Sequence, residues 1–362
     1  MKAVILVGGL GTRLRPLTIN TPKAMMPVLN TPFLEYVIRR LCRHNVKEIV
    51  LAISHLAQPI KNYFGNGSRL GVSLSYTVEE TALGTAGAAK NAEGYLGGEA
   101  CLVLNGDIFT DLDLTAMMDF HRRSQSLATI ALTPVENPTI YGLVETDDYG
   151  KITRFLEKPT WEDVTTNMIN AGTYVLEPEV FSFIPPQTNF SFEHEVFPPL
   201  LEQGKPIYAF PSMCYWMDIG TPEKYRRLNL DLMSGKSNQY SLDPNTGISI
   251  GGHSQCHPTA EITAPVVIGD NCSIGENARL TGPLVIGEGS AIADNAVVED
   301  SIIWHRVTIE TGATVRQSIV ANDCRLGVGS TVEGSVIPDK VTVTKGYRMI
   351  NCDDIQPCVT VG

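Results

Sequence analysis

The sequence predicts an α/β fold, an open and mostly parallel sheet, followed by a three-sided parallel β-helix. Three observations carry this. Short apolar runs alternate with helical spacings over the first two-thirds, a polar stretch interrupts at 234–242, and beyond it aliphatic residues recur at every sixth position.

Taken in order, Ala3–Val7, Glu48–Ile53, Ser73–Val78, Ala100–Leu104, Thr129–Thr133 and Gly172–Leu176 are the predicted strands. Several are apolar on both faces, as strands in a sheet covered on both sides must be. Between them Phe33–Asn45, Gly84–Glu93 and Leu114–Ser124 carry apolar residues at helical spacing, which makes the pattern βαβ.

After the polar break the series runs Ile262, Ile268, Ile274, Leu280, Ile286, Ile292, Val298, then Ile303, Ile309, Val315, Val320, Leu326, Val332, Ile337, Val343. Three of its steps shorten to five, and Ser301, Ser318 and Ser335 repeat at intervals of 17. Three hexapeptides less one residue make one coil of a three-sided prism, so the period is that of a parallel β-helix. The repeats read as scaffold. The boundaries expected are a catalytic domain over 1–235, a linker and solenoid start over 236–258, the β-helix over 259–345 and a tail over 346–362.

A length of 362 residues suits two domains. The formal charge of −11 argues against a general nucleic-acid or anionic-membrane partner, since both need a basic field. No apolar stretch approaches the ~18 residues of a membrane helix, and the N-terminal apolar run is too short for a secretory signal. The eight cysteines form no CxxC pair and read as reduced thiols, so a cytoplasmic location is expected.

The strongest local feature is the loop Gly8-Gly9-Leu10-Gly11-Thr12-Arg13-Leu14-Arg15, directly after the first strand. Three glycines in four positions let backbone N–H groups close around an anion. The loop is neither a Walker A motif nor a GxGxxG fingerprint, because position 14 is Leu and no Lys-Ser/Thr follows. Residues 1–50 hold eight basic side chains against two acidic ones, so a basic end sits on an acidic protein. That suggests a polyphosphate site. Arg13, Arg15 and Lys23 are its candidates, whereas Arg39, Arg40 and Arg43 lie on a predicted helix and read as a solvated face. Asp107 ends a buried strand, where α/β sheets place ligands, and Asp218 stands among Tyr215, Trp216 and a Gly-Thr-Pro turn. Two such carboxylates suit Mg²⁺ bridging phosphates.

These motifs, together with Thr21-Pro22-Lys23, Leu83-Gly84-Thr85-Ala86-Gly87, Phe155-Leu156-Glu157-Lys158-Pro159, Asn170-Ala171-Gly172 and Trp216-Met217-Asp218-Ile219-Gly220, resemble the sugar-1-phosphate nucleotidyltransferase family, in its mannose-1-phosphate guanylyltransferase branch. The resemblance covers nearly the whole chain. It implies a Rossmann-like nucleotidyltransferase domain and a C-terminal left-handed parallel β-helix of hexapeptide repeats, through which a homo-oligomer assembles. The implied reaction is in-line attack of a sugar 1-phosphate on the α-phosphorus of a nucleoside triphosphate, with Mg²⁺ and loss of pyrophosphate. No general base is needed, because the nucleophile is already an anion.

Carried over by residue, Leu6, Gly8, Gly9, Gly11, Thr12, Glu79, Gly84, Thr85 and Asp107 bind the nucleotide, and Arg13 and Lys23 neutralise its developing charge. Asp107 and Asp218 match the metal ligands, while Gly142, Glu157, Lys158, Asn170 and Gly172 match the sugar-phosphate site. Uracil- and thymine-using relatives read the base with a glutamine five residues before the glycine of the second motif. That position here is Glu79, whose acceptor-only carboxylate suits the adjacent N1–H and N2–H₂ donors of guanine, so GTP is the expected nucleotide. Two departures stand out: Ala24 follows Lys23 where the family has proline, and His194 stands where the branch has lysine. The alternatives are a glucose-1-phosphate uridylyl- or thymidylyltransferase, a non-catalytic regulatory paralog, and an added acyltransferase using His253, His257 or His305.

Overall fold

Ala3, Val4 and Ile5 are fully buried, as are Leu102 and Val103, and residues this apolar on both faces are satisfied only in a covered strand. The computed structural model, which describes residues 1–54 and 56–362, pairs these strands side by side and in parallel, Leu6 opposite Asn105. Glu48–Ile53 flanks Lys2–Val7 on its other edge, and Ser73–Val78 lies parallel beyond it. Met168–Leu176 joins Cys101–Asn105 antiparallel and brings in Ala128–Pro134 and the hairpin Gly142–Thr146/Ile152–Glu157. Ile207–Pro211 pairs with Ala128–Pro134, giving a mixed sheet of nine strands.

All six predicted strands form, several longer by one to four residues. The helices Phe33–Arg43, Gly84–Asn91 and Leu114–Ser124 fall where the spacing placed them. The hairpin escapes a reading of apolar runs because it is short and carries Glu145, Arg154 and Glu157 among its few buried positions. One expectation is corrected. Arg40 is buried on the inner face of its helix, with Nη1 donating to the Thr110 carbonyl at 2.8 Å, and burial lowers its pKa to about 10. Arg39 and Arg43 remain exposed.

The chain divides into two compact units, one of Met1–Leu10 with Leu34–Asp218 and one of Gly11–Phe33 with Ile219–Gly362. The first is the sheet and its helices. The second contains a three-sided parallel β-helix whose successive strands stack at 18 and then 17 residues, as Val266 on Leu284 and Ile302 on Ile319. Every residue of the aliphatic series from Ile268 to Val343 is buried in its core, with Ile262 packed at its open end. The serines at intervals of 17 form a ladder: the Ser318 N–H donates to Ser301 Oγ and the Ser335 N–H to Ser318 Oγ, both at 3.1 Å. Each hydroxyl in turn donates to the carbonyl two residues back, so all three buried hydroxyls are paired. Among the described residues no helix is long and apolar enough to cross a membrane.

Candidate active site

In the sheet unit, the candidate residues gather where the parallel strands end, the edge at which open α/β sheets bind ligands. Lys2–Val7 runs out into Gly8-Gly9, and Cys101–Asn105 into Gly106-Asp107. The Leu6 carbonyl accepts the Gly106 N–H at 2.9 Å, and a Cβ on Gly106 would come within 2.6 Å of that oxygen. Ser54 Oγ, at the end of the next strand, donates to the Gly8 carbonyl at 2.6 Å. Gly9 has open space around its Cα.

Glu79 follows the fourth parallel strand and turns its carboxylate onto Gly8, where a Cβ would lie 3.4 Å from Oε1. Oε2 accepts the Leu83 N–H at 3.1 Å, while Oε1 is buried and has no hydrogen-bond partner. Burial raises the pKa of Glu79, and the Leu83 N–H only partly offsets this. Glu80 is exposed.

The two candidate metal ligands are brought together by a two-stranded ribbon. Ile108–Thr110 pairs antiparallel with Trp216–Asp218, so Asp218 stands opposite Ile108, one residue from Asp107. Tyr141 donates to Asp218 Oδ1 at 2.6 Å and packs edge-on against Trp216, whose Nε1 donates to the Ala171 carbonyl. Among the described residues no third acidic, His or Cys ligand joins these two carboxylates, and such a pair fits a hard divalent cation that takes its other ligands from phosphate and water.

The sugar-side candidates sit on the antiparallel half of the sheet. Glu157 pairs with Gly142, and a Cβ on Gly142 would meet Glu157 Oε2 at 2.8 Å. Burial and then the neighbouring Glu193 charge raise the pKa of Glu157. Asn170 Oδ1 accepts the Gly172 N–H, and its Nδ2 donates to the Tyr174 hydroxyl. Gly172 has a φ of +65° and lies against Asn105 and Ile108, and a Cβ on it would come within 2.4 Å of Ile108 Cδ1. Lys158 itself adopts a left-handed φ of +48°, with its N–H on the Tyr141 carbonyl at 3.0 Å. Tyr141 therefore ties Lys158 to Asp218.

Gly84 and Thr85 play a packing part that their motif did not disclose. A Cβ on Gly84 would come within 2.6 Å of the Phe190 carbonyl, and one on Gly87 within 2.3 Å of the Thr188 carbonyl. The Phe190 carbonyl in turn accepts the Ala86 and Gly87 N–H groups. Thr85 Oγ1 accepts the Phe192 N–H and donates to Glu193 Oε2. Glu193, Tyr141, Ser54 and Asn105, whose Oδ1 is buried without a partner, were not singled out from the sequence. Asn105 carried the one available signal, a polar residue inside the apolar run that ends at Asp107.

The remaining candidates belong to the second unit. Gly11, at φ +61°, caps a short 3₁₀ turn Thr12–Leu14. The Thr18 hydroxyl donates to the Gly11 carbonyl at 2.7 Å, and a Cβ at 11 would lie 3.1 Å from Thr18 Cγ2, a tight contact. Leu14 and Leu17 are buried, which leaves Thr12, Arg13 and Arg15 exposed on the opposite side. Lys23 opens a second 3₁₀ turn, Lys23–Met25, in which Ala24 is buried.

Comparison with known proteins gives the family. Residues 2–235 match the family model described as nucleotidyl transferase, and residues 247–349 match that of the EIF2B subunit epsilon LbH domain, a left-handed β-helix. The mannose-1-phosphate guanylyltransferase of Mycobacterium tuberculosis is 38% identical over 275 residues, which cover 75% of this chain and 76% of that protein. The UTP--glucose-1-phosphate uridylyltransferase of Synechocystis is 35% identical over 331 residues, 86% of this chain and 85% of that protein. Among solved structures, HddC from Yersinia pseudotuberculosis complexed with GMP-PN aligns with a TM-score of 0.56 and 30% identity, over 64% of this chain and 98% of that one. The chain thus belongs to the nucleotidyl transferase family, and is a nucleotidyltransferase that carries a left-handed β-helix.

Proposed function

We propose that the protein joins GTP and mannose 1-phosphate, giving GDP-mannose and pyrophosphate. The observation that carries the nucleotide is Glu79: an acceptor-only side chain at the strand ends, one oxygen satisfied by Leu83 and the other buried and unmet. Guanine presents two adjacent donors to such a group, whereas the O4 of a pyrimidine would face it acceptor to acceptor. The sugar is argued from the mannose-1-phosphate guanylyltransferases of M. tuberculosis and Yarrowia lipolytica among the relatives.

In this reading Gly8, Gly9, Gly11 and Thr12 cradle the triphosphate, and Leu6, Gly84 and Thr85 hold the backbone around the base. Arg13 and Lys23 neutralise charge that builds on the α-phosphate and the leaving pyrophosphate. Lys158 holds the sugar phosphate for in-line attack, and Glu157, Asn170, Gly142 and Gly172 take the sugar hydroxyls. Asp107 and Asp218 hold Mg²⁺, which when bound supplies charge neutralisation at the phosphate oxygens. Since the attacking phosphate is already ionised, the chain's own work is positioning and exclusion of water. Self-assembly through the solenoid belongs to the same proposal, supported by the exposed Ile250, Val328, Tyr347 and Ile350, as does a cytoplasmic location.

The test is a matrix of pyrophosphate release with GTP, UTP, dTTP, ATP and CTP against mannose, glucose and N-acetylglucosamine 1-phosphates. Highest kcat/KM for GTP with mannose 1-phosphate is expected. A maximum at UTP with glucose 1-phosphate would overturn the reading in favour of uridylyl transfer, the reaction named for the Synechocystis relative that aligns over 86% of the chain. No turnover with any pair would point to a non-catalytic paralog.

A further inference from the structure

We propose that the β-helix positions the loop segment Gly11–Phe33, with Asp339 and Asn322 of the solenoid and Asn30 of that segment acting as positioning residues for Lys23. The inference rests on the phosphate-binding role given to Lys23 above. It extends the solenoid beyond the scaffold that its repeats alone suggest.

Residues Gly11–Phe33 form one compact unit with the solenoid and the helix Pro222–Met233. Four polar tethers hold the loop within that unit. Thr21 Oγ1 donates to Asp339 Oδ2 at 3.5 Å, and the Tyr225 hydroxyl donates to the Pro27 carbonyl. The Leu29 N–H donates to Asn229 Oδ1 at 2.9 Å, and Asn30 Nδ2 to the Ile286 carbonyl at 2.8 Å.

The solenoid ends of these tethers lie along one corner of the prism. Ile286 stacks on Ile303, Ile303 on Val320 and Val320 on Ile337, in register on four successive rungs. Asn30 meets the corner at Ile286. Trp304, immediately after Ile303, donates through Nε1 to the Tyr225 hydroxyl at 2.9 Å, and Asp339 follows Ile337 by two residues. Rungs are spaced ~4.8 Å apart, so the anchors span roughly 14 Å, a distance that residues 21 to 30 easily bridge.

The anchors are themselves built in. Trp304 and Tyr225 are fully buried, and Asp339 is 8% exposed. Both the backbone N–H and the Nδ2 of Asn322 donate to Asp339 Oδ1 at 2.9 Å, which orients the carboxylate and leaves Oδ2 toward Thr21. Asn322 Oδ1 accepts the His305 N–H one rung away, so the group is locked on both sides. A carboxylate buried this far is costly unless its acceptors are used. Lys23 lies two residues after Thr21 and begins the turn closed by the Met26 N–H on the Lys23 carbonyl, so the tethers fix the stem of its side chain. A displacement of about 1 Å at such a group costs on the order of 10²-fold in rate.

The test uses the full-length protein. Asp339→Ala, Asn30→Leu and the near-isosteric Thr21→Val should each lower kcat, by about tenfold for the first two, with both KM values within about twofold of the parent. Asp339→Asn keeps a carbonyl for Asn322 and a polar end for Thr21, and should restore most of the rate. In a Lys23→Ala background the same substitutions should cause no further loss, because they act through that lysine. Hydrogen exchange should show faster exchange at the Met25, Met26 and Leu29 amides with the solenoid core unchanged. Unchanged kcat, or an equal loss in the Lys23→Ala background, would overturn the inference. Should Asp339→Ala not fold, Thr21→Val and Asn30→Leu decide it. Absence of turnover in the parent with every nucleotide would instead refute the reading of Lys23, and exchange at the loop amides would still report whether the solenoid holds the loop.

Discussion

Thr85 and Glu193 lie 108 residues apart, yet the threonine hydroxyl donates to Glu193 Oε2 at 3.0 Å. The same carboxylate accepts Ser191 Oγ at 2.6 Å and the Tyr174 hydroxyl at 2.8 Å. One acidic side chain thus joins the motif expected at the nucleotide to the strand expected at the sugar. Tyr174 is fully buried, so Glu193→Ala leaves its O–H donor without an acceptor while Asn170 Nδ2 still donates to its oxygen. We expect a loss of about 1–3 kcal/mol in urea denaturation, and a rise in KM for both substrates. A variant that unfolds at the parent's midpoint would show that the carboxylate bridges nothing of consequence.

The glycines of the site separate into two kinds by what a Cβ would strike. At Gly142 it meets the far end of the flexible Glu157 side chain at 2.8 Å, whereas at Gly87 it meets the backbone carbonyl of Thr188 at 2.3 Å. Gly142→Ala should therefore fold with nearly the parent's stability, displace the Glu157 carboxylate, and raise the KM for sugar 1-phosphate while leaving that for nucleotide unchanged. Gly87→Ala should instead lower stability by about 1–3 kcal/mol, the range for an overpacked core, as read from the thermal midpoint. Equal effects of the two on stability would contradict the distinction.

This contrast also marks how much of the protein its sequence displays. The alternation of apolar runs and the six-residue period recover six of the nine strands of the sheet and the solenoid core, because burial on both faces and stacking at a fixed period leave a residue pattern. Asp107 is expected at a strand end and Asp218 among aromatics before a Gly-Thr-Pro turn, but their apposition depends on the pairing of Ile108 with Asp218, a long-range register that no local pattern encodes. Arg40 was misread for a related reason. Arg39, Arg40 and Arg43 on one helix read as a solvated face, and the Thr110 carbonyl that accepts from Arg40 lies 70 residues away, where no local pattern shows it. Gly84 and Gly87 belong in sequence to a motif expected at the nucleotide, and the structure shows the segment at Thr188–Phe190 against which both pack too closely for a Cβ.

The ribbon that pairs the two aspartates makes a prediction about metal dependence. Asp107→Asn and Asp218→Asn should each reduce Mg²⁺-dependent pyrophosphate release by on the order of 10²-fold or more, with the circular dichroism spectrum unchanged. Tyr141→Phe removes only the hydroxyl that donates to Asp218 Oδ1 at 2.6 Å. A hydrogen bond to a charged group is worth about 1.5–3 kcal/mol, so a smaller loss of activity and a higher Mg²⁺ requirement are expected. Chelation should abolish turnover in the parent, and Mg²⁺ should restore it. Full activity of either aspartate variant would remove it from the metal site.

Glu79 combines base choice with a pH dependence whose sign can be fixed. Burial raises its pKa above the ordinary glutamate value of 4.5, so the folded protein holds this proton more tightly than the unfolded chain. The stability it contributes is therefore present below the ordinary glutamate value and is lost as pH rises through the folded pKa. Glu79→Gln cannot titrate, so without ligand its stability relative to the parent should improve as pH rises from the ordinary glutamate value through the folded pKa. Guanine's N–H donors favour the ionised form, so the parent's KM for GTP should rise as pH falls through the same range, and this rise should be absent in the variant. Glutamine offers a donor beside its acceptor, so the variant should shift its ranking from GTP toward UTP and dTTP. A variant that keeps the parent's nucleotide ranking and its pH profile for GTP would show that Glu79 does not read the base.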